Sequence, residues 1–139
     1  MSSKKILTET EILQMDEQSY MNEAQLEFFK LRLQQLREDI LKNADLTTEH
    51  LRETVIVPDP ADRATIEEEH ALELRTRDRE RKLLKKVEQS LVRIENGEYG
   101  WCEETGEPIG VQRLIARPTA TLSLEAQQRR ELRQKLFGN

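Results

Sequence analysis

Two aspartates, Asp59 and Asp62, lie in a proline-rich turn between two long segments with helical patterns. Asp59 is suited to a helix N-cap, and Pro60 fits the first helical position because no N–H donor is needed there. Asp62 falls in the first turn, where an acid interacts favourably with the helix dipole. The two carboxylates therefore have two interpretations: they only start the second helix, or they also form an acidic tip that acts on another molecule.

A second group of positions has the spacing of a four-cysteine zinc ribbon, in which two C-x2-C pairs are separated by about 15–20 residues. The corresponding residues here are Cys102, Thr105, Ser123 and Ala126, with 17 residues between the pairs. Structural zinc needs several thiolate or imidazole ligands, which a hydroxyl group at neutral pH and a methyl group do not replace. The sequence therefore predicts that no zinc is bound, and that packing of three apolar residues replaces the metal: Trp101, Leu122 and Leu124.

Cys102 is the only cysteine, so the chain cannot form an internal disulfide, which fits a reducing compartment. Two interpretations of this thiol stay open. It is a small buried apolar group, or it is a reactive thiol that senses oxidants, and its exposure and pKa decide between them. The two histidines, His50 and His70, have no serine or cysteine partner at a recognisable spacing, and no phosphate-binding glycine loop follows a strand. No catalytic site is predicted.

The acidic turn joins two predicted helices, the first from Asn22 to about Leu51 and the second from Pro60 to Asn96. Apolar residues in both follow alternating spacings of three and four, which is typical of a coiled-coil seam: Leu26, Phe29, Leu33, Leu36 and Ile40, then Leu84, Val87, Leu91 and Ile94. The seam is poorer near the turn, where Ile66, His70 and Leu74 are four apart. The patterns predict an antiparallel hairpin about 45 Å long, with Val55, Ile56 and Val57 packed under its tip.

The fold class is predicted to be mostly α, in three regions. Residues 1–21 hold a short helix, started by a capping box at Thr8 and Glu11, that packs on the C-terminal module. Residues 22–96 form the coiled-coil hairpin, with its tip at 55–64. Residues 97–139 form a degenerate zinc-ribbon-like module that ends in a helix from about Leu124 to Leu136, capped by Ser123. Its candidate core residues are Trp101, Ile109, Leu114, Leu122, Leu124, Leu132 and Leu136.

Charged residues make up 35% of the chain and aromatic residues 4%, which favours a solvated coiled coil over a large globular core. The net charge of −5 argues against a protein that wraps DNA. The absence of a signal-peptide pattern and of a long apolar run predicts a cytoplasmic protein that does not span a membrane. Residues 49–69 hold seven acids and two bases, whereas residues 75–86 hold seven bases and two acids. This split indicates either solvated helix faces or an acidic tip and a basic shaft that contact different surfaces.

Five segments together resemble the DksA/TraR family: YMNEAQL at 20–26, DPADRA at 59–64, ELRTRDRERK at 73–82, YGWC at 99–102 and ARPTA at 116–120. The resemblance runs from about Tyr20 to Leu136, and the chain is similar to the cysteine-poor, zinc-independent members. It implies a non-enzymatic regulator that binds RNA polymerase and not promoter DNA. The hairpin is then expected to enter the secondary channel and, with ppGpp, to act in the stringent response. The resemblance further implies that open complexes at ribosomal RNA promoters are destabilised and that some amino-acid biosynthesis promoters are activated.

The resemblance also implies roles for single positions: Asp59, Asp62 and Ala64 at the tip, Arg79 in polymerase binding, and Leu83, Lys86 and Arg117 in binding ppGpp. The chemistry of the last group is suitable, since a polyphosphate needs fixed cations. The resemblance places a basic residue at position 127, whereas this chain has Gln127 there. Arg129 and Arg130 are nearby candidates to supply the missing charge.

Two other functions stay open. A transcript-cleavage factor of the Gre type also has a hairpin in the same channel, and its tip acids hold a second Mg²⁺ for RNA hydrolysis. A structural coiled-coil adaptor would use the seam and not the tip. The DPADRA segment and the C-terminal module favour the regulator over the cleavage factor. Because a hairpin satisfies its own seam, a monomer is expected. The resemblance implies RNA polymerase and ppGpp as partners.

Overall fold

The structure is a computed structural model that describes residues 7–53 and 59–138; for residues 47–53 and 60–62 it describes the backbone alone. It contains helices α1 (Glu9–Gln14), α2 (Glu23–Glu53), α3 (Pro60–Glu95), α4 (Val111–Ala116) and α5 (Leu124–Phe137), with a 3-10 turn at Glu17–Ser19. The described residues form no strand, and one isolated bridge joins Trp101 to Pro108. The predicted mostly helical fold with a long helix pair is confirmed, whereas helix α4 was not predicted. The predicted packing of Val55, Ile56 and Val57 lies outside the described residues.

The chain divides into two compact units. The module unit consists of Met1–Gln34 and Gln89–Asn139, and the helix-pair unit consists of Gln35–Glu88. Helices α2 and α3 each contribute to both units. The start of α2 and the end of α3 therefore belong to the same core as the C-terminal module.

In the helix-pair unit, seam residues from both helices are buried, among them Ile40 of α2 and Val87 of α3. Arg37 of α2 pairs with Glu88 of α3, with 3.5 Å between Nε and Oε1. An exposed ion pair of this kind contributes only about 0–1 kcal/mol, whereas fully burying a Val or Ile side chain contributes about 1.5–3 kcal/mol. The apolar seam therefore contributes more than the ion pair to the stability of this region.

The seam prediction is wrong at Leu74, whose side chain is 52% exposed. Glu73 and Arg77 are half-buried at this level instead. Each step of four residues advances about 40° beyond a full helical turn, so the 66–70–74 pattern rotates about 80° away from the seam. The helix therefore turns Leu74 towards solvent and polar residues into the seam.

Helix α1 packs on α4 in the module unit, through contacts between these two short helices. Its capping box is present: the Thr8 hydroxyl accepts from the Glu11 N–H, and the Glu11 carboxylate accepts from the Thr8 N–H, both at 3.2 Å. Ile12 of α1 and Leu114 of α4 are both fully buried. A helix of six residues is too short to be stable alone, so burial of Ile12 is what keeps it folded.

The predicted core of the module is correct for Ile109, Leu114 and Leu122, which are buried. It is wrong for four residues whose side chains are exposed by 37% to 69%: Trp101, Leu124, Leu132 and Leu136. Helix α5 begins where the Ser123 hydroxyl accepts from the Ala126 N–H, but Ala126 is its one buried residue. The leucines of α5 therefore lie outside the core, although Arg130 in its second turn still contacts Glu104 of the module.

Candidate functional site

The acidic turn is described from Asp59 onwards, and Asp59 is exposed. The Arg63 N–H donates to the Asp59 carbonyl at 3.0 Å, which closes the first turn of α3. Ala64 is also exposed. The Asp62 side chain and residues 54–58 lie outside the described residues, so a functional role for Asp62 stays a prediction. Asp59 and Ala64 are accessible at the start of a helix.

Three further candidate residues lie on α3 within the helix-pair unit. Arg79, Leu83 and Lys86 follow one another at spacings of four and three, which places them on one helix face. Arg79 and Lys86 are exposed, and Leu83 is half-buried. The face therefore presents two cations beside an apolar edge, an arrangement suited to an anionic or polar partner.

Arg117, the remaining candidate, lies in the module unit and lines a shallow groove of about 520 Å³. The groove is also lined by Ile109, Gly110, Gln112, Arg113, Ala116 and Leu124. Gly110 has a φ of 105°, which other residues rarely adopt, and it directly precedes α4. Helix α4 ends at Ala116, and the N–H of its C-cap residue Arg117 donates to the Arg113 carbonyl at 2.7 Å. The lining thus includes two arginines and no acid.

Arg113 is held in this groove by contacts that the sequence did not predict. Its Nε donates to the Leu122 carbonyl and its Nη2 donates to the Gln127 side-chain oxygen, each at 3.0 Å. Gln127 in turn donates to Glu131 at 3.0 Å. Arg130, one of the two predicted substitutes for a basic residue at position 127, instead pairs with Glu104 at 2.9 Å. In the sequence, the four-residue spacing of Arg113 and Arg117 was the signal that could have predicted that these two arginines lie close together.

The four zinc-ribbon positions do come together, but they do not fit a zinc ion. Cys102 is 3% exposed and accepts hydrogen bonds from the Thr105 hydroxyl and the Ser123 N–H. The Ser123 hydroxyl is already used as the N-cap of α5, and the fourth position is the buried methyl group of Ala126. One thiol is not a ligand set for structural zinc. No cluster of three or more histidine, cysteine or acidic side chains suited to a metal occurs among the described residues.

The Cys102 thiol is buried and surrounded by hydrogen-bond donors. Burial raises its pKa, but hydrogen bonds from the Thr105 hydroxyl and from the N–H groups of Ser123, Thr105 and Glu104 outweigh that effect. Together they lower the pKa from 9.0 to about 6. Cys102 therefore combines features of both interpretations left open by the sequence, since it is inaccessible like a core residue yet favours the thiolate.

Tyrosine hydroxyl groups connect distant parts of the module unit. The Tyr20 hydroxyl donates to the Gly100 carbonyl at 2.5 Å and accepts from the Gly110 N–H at 2.9 Å. The Tyr99 hydroxyl donates to the Pro118 carbonyl at 2.8 Å. Burial raises the pKa of both tyrosines, so both remain neutral donors at physiological pH. These contacts hold the turns of the module together.

Arg93 connects the end of α3 to the module. Its guanidinium donates to the Glu103 carboxylate at 2.8 Å, to the Trp101 carbonyl at 3.0 Å and to the Glu98 carbonyl at 3.1 Å. The side chain is 17% exposed, so water screens these bonds only partly. Arg93 therefore fixes the turn that follows the end of α3 within the module unit. None of the described helices is long and apolar enough to cross a membrane.

Two family models match the chain. One, described as the N-terminal domain of DnaK suppressor protein DksA, matches residues 25–94. The other, described as the prokaryotic dksA/traR C4-type zinc finger, matches residues 97–132. The second match covers the module whose ligand positions retain only Cys102.

Similar curated proteins include two that are named RNA polymerase-binding transcription factor DksA. The protein from Caulobacter vibrioides (strain NA1000 / CB15N) is 54% identical over 122 residues, which cover 87% of this chain and 86% of that protein. The protein from Escherichia coli (strain K12) is 47% identical over 119 residues, which cover 85% and 79%. The solved structure of transcription factor DksA2 from Pseudomonas aeruginosa is 42% identical and has a TM-score of 0.84, over 91% of this chain and 98% of that one.

Proposed function

This chain belongs to the DksA family, and we propose that it is a transcription regulator that binds RNA polymerase and is not an enzyme. The relatives at 54% and 47% identity are named RNA polymerase-binding transcription factors, and they match the chain over most of its length. The observation that carries the proposal most directly is the exposed Asp59 at the start of α3, within the DPADRA segment. The exposure of Asp59 supports contact with a partner at this position.

The proposed mode of action is entry of the helix pair into the secondary channel of the polymerase. Asp59 and Asp62 act there with Ala64, near the catalytic centre, and the open complex at ribosomal RNA promoters becomes less stable. Attachment to a continuous helix supports this mode, because a charge fixed on a rigid element loses little conformational entropy when it docks. Some amino-acid biosynthesis promoters are activated by the same contact.

We propose that Arg79 contacts the polymerase and that Leu83, Lys86 and Arg117 contribute to a ppGpp site in the complex. The side chains of Arg79, Lys86 and Arg117 are all exposed, which supports this assignment. The protein then acts in the stringent response, in the cytoplasm, as a monomer and without sequence-specific DNA binding. Its proposed functional regions are residues 1–21, the hairpin at 22–96 and the module at 97–139.

The test is the lifetime of the open complex at a ribosomal RNA promoter, measured with purified polymerase, with and without ppGpp. The wild-type protein is expected to shorten the lifetime. Asp59→Asn and Asp62→Asn are expected to bind the polymerase and lose most of this effect. Glu67→Gln is the matched control, because it removes the same charge from an exposed position two turns further along α3.

The proposal is overturned if the wild-type protein binds polymerase and leaves the lifetime unchanged. It is also overturned if Glu67→Gln is as defective as Asp59→Asn, because only net charge would then matter. Adding the same proteins to a backtracked complex distinguishes the regulator from the cleavage-factor alternative. Shortening of the RNA by the wild type and not by Asp59→Asn would favour that alternative.

A further inference from the structure

A second groove lies along α3, within the helix-pair unit, and has a volume of about 350 Å³. Arg77 and Arg81 line it, and each is two residues away from Arg79. Positions two apart do not share a helix face. A partner bound to the face of Arg79 therefore leaves these two arginines uncovered. The full lining consists of three arginines, one apolar residue and one acid: Arg75, Arg77, Arg81, Leu74 and Asp78.

The protein does not neutralise the arginines of this groove. Among the residues that the structure describes, no side chain forms an ion pair or a hydrogen bond with the guanidinium groups of Arg75, Arg77 and Arg81. An Asp78 carboxylate oxygen lies instead 3.9 Å from the Lys82 amino nitrogen. Like charges four residues apart on a helix repel each other. An anionic ligand would remove the repulsion between Arg77 and Arg81.

The cations continue along α3 in a regular row. Arg77, Arg81 and Lys85 follow one another at intervals of four residues. Arg81 and Lys85 are exposed, and Arg77 is half-buried. The rise of the helix places one cation about every 6 Å along its axis. A row of this kind fits a chain of anions, such as the phosphates of a nucleic acid strand.

We propose that this row of cations binds a segment of single-stranded RNA through its phosphates, with Arg81 as the central contact. A single strand is flexible, so it can adjust the distances between its phosphates to the distances between the cations. The acids of a folded protein surface, by contrast, have fixed spacings that must already match. Arginine also binds phosphate oxygens in a bidentate manner. The inference goes beyond polymerase binding, and the proposed function enters only because a polymerase supplies RNA.

The lining of the groove predicts how such binding depends on sequence and on salt. None of the described lining residues is aromatic, so no base stacks there as it does in many sites for single strands. Phosphate contacts then dominate, and binding is independent of base sequence. For single strands, log affinity falls against log salt with a slope of about −0.7 per neutralised phosphate, so three contacts give about −2. The affinity should therefore fall about twentyfold between 50 and 200 mM salt.

The test is the fluorescence anisotropy of a labelled oligouridine, titrated with the whole chain at several salt concentrations in the absence of polymerase. Arg81→Gln is expected to bind about eightfold more weakly than the wild type at 50 mM salt, with a slope of about −1.4. Arg81→Lys keeps the charge and should keep the slope of the wild type. The matched control is Arg133→Gln, which removes the same charge from an exposed position on α5. It is expected to bind like the wild type.

The inference is overturned if the wild type does not bind oligouridine at 50 mM salt, or if its affinity does not depend on salt. It is also overturned if Arg133→Gln is as impaired as Arg81→Gln, because only net charge would then matter. Displacement of the labelled RNA by polyglutamate as readily as by unlabelled oligouridine would assign the row to an acidic protein surface instead. Because the assay contains no polymerase, each of these outcomes leaves the proposed regulation to be decided by the open-complex lifetime.

Discussion

Removing the hydroxyl group of Tyr20 tests how much its hydrogen bonds stabilise the module. Tyr20→Phe keeps the ring, which contacts the Trp101 ring edge-to-face at 5.3 Å between centroids. It removes the bond to the Gly100 carbonyl and the bond from the Gly110 N–H. The perturbation is therefore confined to two hydrogen bonds that join the N-terminal segment to the module.

The two bonds differ in what their loss leaves behind. The Gly100 carbonyl still accepts from the Ile109 N–H at 2.9 Å, so its loss is partly compensated. The Gly110 N–H loses its acceptor in a partly buried setting, and an unsatisfied donor costs about 1–3 kcal/mol. The expected decrease in the free energy of unfolding is about 2 kcal/mol in total.

The measurement is urea unfolding followed by fluorescence of Trp101, which is the only tryptophan and lies in the module unit. A loss of about 2 kcal/mol lowers the urea midpoint by roughly 1 M for an m-value of about 2 kcal/mol/M. Tyr99→Phe is the comparison, because it removes one hydroxyl bond, to the Pro118 carbonyl, and should cost about 1 kcal/mol. A change below about 0.5 kcal/mol for Tyr20→Phe, or a larger loss for Tyr99→Phe, would refute the reasoning.

Two further predictions concern the former zinc positions. Titration of the thiolate absorbance of Cys102 should have its midpoint near pH 6 instead of 9, and Thr105→Val should raise it, because burial opposes ionisation and the hydroxyl bond favours it. Since the folded-state pKa lies below the unfolded value, Cys102 stabilises the fold at high pH and this contribution is lost as the pH falls from 9 to 6. Cys102→Ser should remove that pH dependence, and a midpoint near 9 would contradict the assignment. Treatment with a chelator should leave the urea midpoint of the wild type unchanged, whereas restoring thiols by Thr105→Cys, Ser123→Cys and Ala126→Cys should make it sensitive. One bound zinc per wild-type chain would show the metal prediction to be wrong.

The candidate site was predictable from the sequence only in part. Asp59 and Ala64 lie at the start of a predicted helix and are exposed, and the spacing of Arg79, Leu83 and Lys86 already placed them on one helix face. The environment of Arg117 was not predictable. Its groove depends on the turn of Gly110 and on the contact between Arg113 and Gln127, residues 14 positions apart that belong to different helices.

Local chemistry by itself determined where α1 and α5 begin and that three of the four zinc-ribbon positions offer no thiolate. The caps at Thr8 and Ser123 involve bonds to residues three positions away, so their own sequence neighbourhood predicts them. The unsuitability of Thr105 and Ala126 as zinc ligands follows from residue type alone. These features need no knowledge of how distant segments meet.

The tertiary structure decided which residues form the core and how the module closes. Tyr20 reaches Gly100 and Gly110, which lie 80 and 90 positions further along the chain. Leu132 and Leu136 are as apolar as Leu122, yet Leu122 is buried in the module whereas they stay exposed on α5. Apolar periodicity shows which face of a helix can be buried, but burial itself requires a second surface, and only the folded chain supplies one.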